Sequence, residues 1–341
     1  MPLDLALVTT WDLLLFGVSF AALFGLLSLL LRRNGSSLRP HLEKPAHFGG
    51  VMLIGVISLF SYVVLDDPRL RIGLLSAAFL IIVIGIIDEQ VRLSPGKQLL
   101  WQVIIALVAV CWGWSITEIS NPWQGGVIDL SWFDVSVLAI PGSLLGILWL
   151  VFLMNAVNWL DGVDGLASGV GVVALLVLAA VSLLPSIQDI NSLRLALVGA
   201  GAVLGFLLWN FAPAKVYLGT TGSWFLGLYI GLVAMMGGGK IVTTLLVLAL
   251  PVIDVALVVI SRLWAKQKPW RGDEVRHMHY RLLAAKVSPR LIAVIGMVAT
   301  AGLGVAAITL QTEQKIVAFI TAAGLMLVLS ASLISKQRRT I

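Results

Sequence analysis

Residues 155–169 read NAVNWLDGVDGLASG. Two asparagines, two aspartates and three glycines stand here between two long apolar runs. Carboxylates are costly at a membrane edge, so their presence asks for a reason. Asn155, Asn158, Asp161 and Asp164 recur every three residues, and successive members would be neighbours on a helix. The row drifts round the axis, however, and the glycines argue against one regular helix. The stretch reads as a polar loop between two spans. Ser or Lys would serve for mere connection, so four amide and carboxylate groups favour a functional loop.

The surrounding chain sets the solvent. It has 341 residues, of which 59% are hydrophobic and only 12% charged, and its mean hydropathy is +1.02. A soluble domain carries about 25% charged residues. Apolar runs occur at 11–31, 48–65, 72–87, 99–115, 136–154, 166–184, 195–212, 224–238, 241–260, 290–309 and 316–334. The expected fold is therefore all-α: a polytopic integral membrane bundle of about 10–11 transmembrane helices, with residues 1–341 as one domain. The first run lacks a basic leader and a small-residue cleavage site, which makes it a spanning helix. The single cysteine, Cys111, lies in an apolar run and reads as a small buried hydrophobe.

Charge sets the orientation. With the N-terminus outside and the C-terminus cytoplasmic, the inner loops and tail hold 18 Lys and Arg, and the outer loops hold five: Arg69, Arg71, Arg194, Lys240 and Lys315. The outer loop 116–135 has none. The net charge of +6 thus follows the positive-inside rule and does not imply nucleic acid as a partner. All four histidines fall on the inner side, with Asp88, Glu89, Asp161, Asp164, Asp273 and Glu274. Only Asp254 lies well within a span, nearer its cytoplasmic end. A transporter keeps its ionisable groups near the midplane. Polar groups gathered on one face favour an enzyme at the cytoplasmic membrane surface.

Three more stretches share that face. GIIDEQVRLSPGKQLLWQ (85–102) carries Asp88 and Glu89 at a span end, then a turn, then Lys97. Such a pair suits a divalent cation or a general base, and equally a solvated helix end. Asp66 and Asp67, beside Pro68 in a short outer loop, are read as solvated. PAKVYLGTTGSWFLG (213–227) brings small residues and free N–H groups to a helix start, which suits phosphate or a plain turn. RLWAKQKPWRGDEVRHMHYRLL (262–283) flanks His277 and His279 with basic residues. Their i,i+2 spacing suits an extended loop better than paired ligation on a helix, and contacts to phosphate or sugar better than zinc.

Together these loops resemble those of the polyprenyl-phosphate N-acetylhexosamine-1-phosphate transferases. The likeness runs from HLEKPAHFGG (41–50) to HMHYRLL (277–283). NAVNWLDGVDGLA matches the family pattern N-x-x-N-x-x-D-G-x-D-G-L-A, and PVIDVALVVISRL (251–263) is similar to its Pro-x-x-Asp span. The resemblance implies a multi-pass enzyme of the inner (cytoplasmic) membrane, with its site on the cytoplasmic face. It implies that a polyprenyl phosphate attacks the β-phosphate of a UDP-N-acetylhexosamine and that UMP leaves, as the first membrane step of cell-envelope polysaccharide synthesis. Mg²⁺ (or Mn²⁺) would offset the diphosphate charge. Asp88, Glu89, Asp161, Asp164, His277 and His279 are then the catalytic candidates. Lys44, Lys97, Asn155, Asn158, Gly219, Ser223 and Arg276 would bind substrate and phosphate. Asn158, Thr220 and Asp88 would hold the metal. The implied partners are the UDP-sugar, polyprenyl phosphate and the lipid bilayer, with a homodimer as one open assembly.

Three positions depart from the pattern. Glu89 replaces the second aspartate of the first pair, Thr220 replaces the family's metal-binding aspartate, and Tyr280 replaces a histidine. A threonine hydroxyl ligates Mg²⁺ without adding negative charge. Two functions follow from the sequence: an active transferase, or the same fold with weakened or lost catalysis acting as a binding or scaffold protein.

Overall fold

The computed structural model describes residues 8–33, 46–121, 126–132, 134–135, 138–236, 240–267 and 277–339. Lys44 and Arg276 lie outside the described residues, as do His41, Asp273 and Glu274.

The helices are α1 (Thr10–Arg33), α2 (Ala46–Val64), α3 (Pro68–Val91), α4 (Pro95–Cys111), α5 (Ile140–Leu160), α6 (Leu166–Ser182) and α7 (Ile190–Asn210). After them come α8 (Gly219–Met235), α9 (Lys240–Val247), α10 (Ala249–Trp264), α11 (Met278–Ala284), α12 (Pro289–Thr309) and α13 (Thr312–Arg339). Helix makes up 80% of the described residues. The all-α expectation omits two small sheets in the α4–α5 connection. There β1 (Glu118–Ser120) pairs antiparallel with β2 (Val127–Asp129), and β3 (Asp134–Val135) with β4 (Leu138–Ala139).

Each of the eleven apolar runs overlaps at least one helix, but they are not equivalent. Six helices, α1, α3, α5, α7, α12 and α13, are long and apolar enough to cross a membrane. The ninth run, expected as one span, is broken: α9 and α10 meet at 77° and together make a seventh candidate. Four shorter apolar helices, α2, α4, α6 and α8, complete the set. A 17-residue helix such as α8 reaches about 25 Å, short of a ~30 Å hydrocarbon core. Burial compensates, because every residue of α8 from Thr221 to Met235 is enclosed by protein.

Helix starts follow their local chemistry. Asp67, expected to be merely solvated, accepts a hydrogen bond from Arg69 N at 2.7 Å and caps α3, with Pro68 in its first turn. Asp189 caps α7 through Ser192 N, and Ser288 caps α12 ahead of Pro289.

Glycines let the central helices touch backbone to backbone. A Cβ on Gly227 of α8 would stand 2.4 Å from Leu153 O on α5. On Gly50 of α2 it would stand 2.5 Å from Gly222 N on α8, and on Gly201 of α7, 2.3 Å from Phe16 O on α1. Such small-residue contacts drive helix association where lipid is the solvent.

Two groups read as outer-loop charges belong to the bundle. Lys240 is fully buried, donating to Asp189 Oδ2 at 3.3 Å and Ser182 Oγ at 3.2 Å. Arg194 pairs with the buried Asp12 at 2.8 Å. Each charge sits among apolar helices and is retained because a partner of opposite sign meets it there. Cys111 reverses its expectation: it is exposed, because it ends α4 on an outward face.

The α5–α8 contact yields a test. Gly227→Val forces the carbonyl of Leu153 aside and lowers stability by about 1–3 kcal/mol. Thermal unfolding in detergent should show a clear drop in Tm; an unchanged Tm would contradict the packing.

Candidate active site

The site is built around the first turn of α8. Gly219 takes φ +67°, which turns the 211–218 loop into the helix. The N–H groups of this turn have no partners within the helix, and the helix dipole makes this end positive. Neighbouring elements supply acceptors. Thr221 donates its N–H and its hydroxyl to Glu89 Oε1, both at 3.4 Å. The Gly219 N–H faces the Asp161 carboxyl and favours its charged form. Ser223 Oγ donates to Asn158 Oδ1 at 2.8 Å. Gly85, one turn before Glu89, makes the approach possible, since a Cβ there would meet Thr221 Oγ1 at 2.4 Å. Glu89, Asn158, Asp161, Gly219 and Ser223 therefore meet, from three stretches far apart in sequence. Thr220 is half-buried on the same turn.

The opening stretch is not one loop. Asn155 and Asn158 lie on the last two turns of α5, and only Asp161–Gly165 form the turn into α6. The glycines begin at 162, so helix runs up to them. Asn155, expected to contact substrate, donates to Gln102 Oε1 at 2.6 Å and to Val151 O at 2.8 Å, pinning α5 to α4. Asp164 Oδ2 accepts from Ala214 N at 2.9 Å and ties the turn to the loop before α8. Asn210, which sequence reasoning missed, completes that tie. It is buried, accepts from Gly165 N at 3.1 Å and Ser168 Oγ at 2.6 Å, and donates to Val216 O at 3.0 Å. Its signal was an amide closing an apolar run just before Phe211-Ala212-Pro213.

Asp88 faces a different neighbour from Glu89. It is buried, and its Oδ1 accepts from Leu93 N at 3.0 Å and from Gln98 Nε2 at 2.8 Å, which holds the α3–α4 turn closed. Gln98 is another residue missed from sequence. Lys97 is exposed on the first turn of α4.

The histidines arrive from the far side of the chain. His277 is extended at the start of α11 and His279 lies in its first turn, rather than both on an extended loop. Both are buried, and their rings stack at 5.7 Å with 13° between planes. Trp159 flanks His277 at 5.4 Å, and Tyr280 flanks His279 at 4.3 Å. His277 Nδ1 is 2.7 Å from Asp254 Oδ2, and Met278 N donates to Asp254 Oδ1 at 2.8 Å. Asp254 was noted in the sequence as an isolated charge in a span and as the aspartate of the Pro-x-x-Asp stretch, without its histidine partner. His279 Nε2 lies over Gly162, where a Cβ would come within 2.5 Å. The glycine at 162 thus admits α11 onto the Asp161–Gly165 turn.

Electrostatics mark the same turn. Loss of hydration pushes the Asp161 carboxyl well above the usual carboxylate range, and repulsion by Asp164 adds to this, against the Gly219 N–H. Burial pushes His279 down to about 4, with Asp254 opposing and His277 assisting. Among the described residues no three His, Cys, Asp or Glu side chains gather to hold a metal by themselves. The donors around the first turn of α8 are carboxylate, amide and hydroxyl oxygens. That set suits Mg²⁺, which keeps several waters and takes substrate phosphates alongside one or two carboxylates.

Residues 71–238 match the sequence profile of glycosyl transferase family 4. The chain is 33% identical over 270 residues to a probable undecaprenyl-phosphate N-acetylglucosaminyl 1-phosphate transferase of Bacillus subtilis, covering 77% of this chain and 71% of that one. The chain belongs to glycosyl transferase family 4. It is also 30% identical over 297 residues to a phospho-N-acetylmuramoyl-pentapeptide-transferase of Moorella thermoacetica, covering 82% of this chain and 89% of the relative. A decaprenyl-phosphate N-acetylglucosaminephosphotransferase of Mycolicibacterium smegmatis is 29% identical over 279 residues, covering 71% and 66%. The family-4 profile covers α3 to α8, the elements that carry Asp88 through Ser223. Asp254 and the two histidines lie beyond it.

The buried imidazole sets a pH dependence. Between pH 6.5 and about 4 the unfolded chain protonates His279 and the folded chain does not. Stability from this group is complete above pH 6.5 and is lost as pH falls toward 4. His279→Gln should flatten the fall of Tm over that interval; an unaltered slope would count against the buried neutral ring.

Proposed function

We propose that this chain transfers a HexNAc-1-phosphate from a UDP-sugar to a polyprenyl phosphate such as undecaprenyl phosphate, and releases UMP. The convergence of Glu89, Asn158 and Asp161 on the first turn of α8 carries the reading. His277 and His279 reach the turn beside it. The relatives' names point to the same chemistry, and the basic loops favour a site on the cytoplasmic face of the inner membrane. A lipid-phosphate oxygen would bond to the β-phosphorus of the UDP-sugar as the bond to UMP breaks. The protein's part in such a transfer is positioning and charge stabilisation.

The α8 start would orient the diphosphate through its N–H groups and the Ser223 hydroxyl. Asp161 and Asp164 would stand at the nucleotide end, and the stacked histidines would cover diphosphate and sugar and exclude water. Mg²⁺ (or Mn²⁺), held by Asn158, Thr220 and Asp88 with Glu89 and Asp161 at the same end of the bundle, would supply neutralisation of the diphosphate charge.

Thr220 favours a second reading, a weakened transferase that binds more than it turns over, because a neutral hydroxyl occupies the helix turn where the donors meet.

The assay is UMP release from UDP-GlcNAc and undecaprenyl phosphate. The wild-type protein should release UMP, chelation should abolish release, and Asp161→Asn should slow it by about 10²-fold or more. Absence of release from both wild type and Thr220→Asp would overturn the transferase reading. Thr220→Asp decides between the two readings. A gain of roughly tenfold, near 1.4 kcal/mol of barrier, identifies the weakened enzyme. An equal or lower rate identifies Thr220 as part of a working site.

A further inference from the structure

The break between α9 and α10 brings a carboxylate to the histidines. Asp254 lies in the second turn of α10, and both of its oxygens are engaged by one short stretch. Oδ2 is 2.7 Å from the Nδ1 ring atom of His277, and Oδ1 accepts the Met278 N–H at 2.8 Å. The second bond is a helix cap supplied from another helix, because His277, at the cap position of α11, makes no side-chain cap bond. A carboxylate only accepts, so the proton of this pair sits on Nδ1. The ring is held on two further sides by Trp159 and His279. Nε2 is then the nitrogen of His277 left for a ligand.

We infer that Asp254 is a positioning residue: it fixes the tautomer of His277 and, with its other oxygen, seats α11 on the Asp161–Gly165 turn. α10 departs from the line of α9 by 77°, and on it Asp254 meets the start of α11. The effect on turnover rests on the transferase reading; the effect on the ring does not.

The test is Asp254→Asn in the full chain, with ¹⁵N-labelled histidine, and His277→Gln to assign the signals. Asparagine caps a helix about as well as aspartate. It keeps the Met278 bond through its oxygen and presents an N–H to Nδ1. The expected result is a His277 proton moved from Nδ1 to Nε2, with Tm little changed. UMP release should lose about 10²-fold in kcat while KM for the UDP-sugar stays within about threefold. Asp254→Asn added to His277→Ala should slow the enzyme no further than His277→Ala alone, as two residues acting through one ring require. Asp254→Glu should restore the Nδ1 proton. A role as helix cap alone predicts a wild-type ring signal and wild-type kcat in Asp254→Asn, and either result would overturn the inference. If wild type releases no UMP, the transferase reading fails, and the ring signal still decides the role of Asp254.

Discussion

The first turn of α8 brings backbone N–H groups, half-buried at Gly219 and Thr220 and buried from Thr221 on, to one end of a bundle of apolar helices, and those groups have to be satisfied by something. In a bilayer no water reaches such a position cheaply. Glu89 on α3 accepts the Thr221 N–H, Asp161 in the turn after α5 faces the Gly219 N–H, and Asn158 at the end of α5 takes the Ser223 hydroxyl. A structural requirement and a chemical one thus have the same solution. The groups that close the helix end are carboxylates and an amide, which are also the groups that hold cations and orient phosphates.

That arrangement depends on close approach. Gly50, Gly85 and Gly227 each stand where a side chain would strike the backbone or a side chain of α8 or the backbone beside it. With them α2, α3 and α5 press onto one short helix, and its start is held from several sides. Gly162 plays the same part for α11, letting His279 and Tyr280 lie on the turn that carries Asp161. The far end of the bundle is closed by a different device. Buried lysine meets aspartate at Lys240 and Asp189, and Arg194 meets Asp12. Each pair secures a helix start or end without opening a polar path through the interior.

Two of the three departures from the family pattern fall together. Thr220 sits on the first turn of α8, and Glu89 reaches the next residue of that turn, Thr221. Tyr280 lies beside His279 over Gly162, close to the same turn. The changes are therefore neighbours in one site and will not act independently. Asp88 and Glu89 illustrate the reverse case. They are adjacent in sequence, yet one closes the α3–α4 turn and the other meets α8, because consecutive residues on a helix point about 100° apart.

The sequence by itself determined the solvent, the helices and the loops that carry chemistry. Apolar runs near 20 residues have no stable alternative to helix in lipid, and carboxylates and imidazoles are rare enough there to be conspicuous. The motif at 155–167 likewise led to the family. Periodicity did not report that the ninth run is bent, that Asn155 serves the α4–α5 contact, or that Lys240 is buried. Nor did it find the partners of Asn210, Gln98 and Asp254, which lie 6 to 45, 10 and 23 to 24 residues away. Only tertiary structure decided which polar groups meet, because hydrogen bonds between helices depend on the rotation and approach of each helix. Those are set by packing at a few glycines rather than by the spacing of polar residues along the chain.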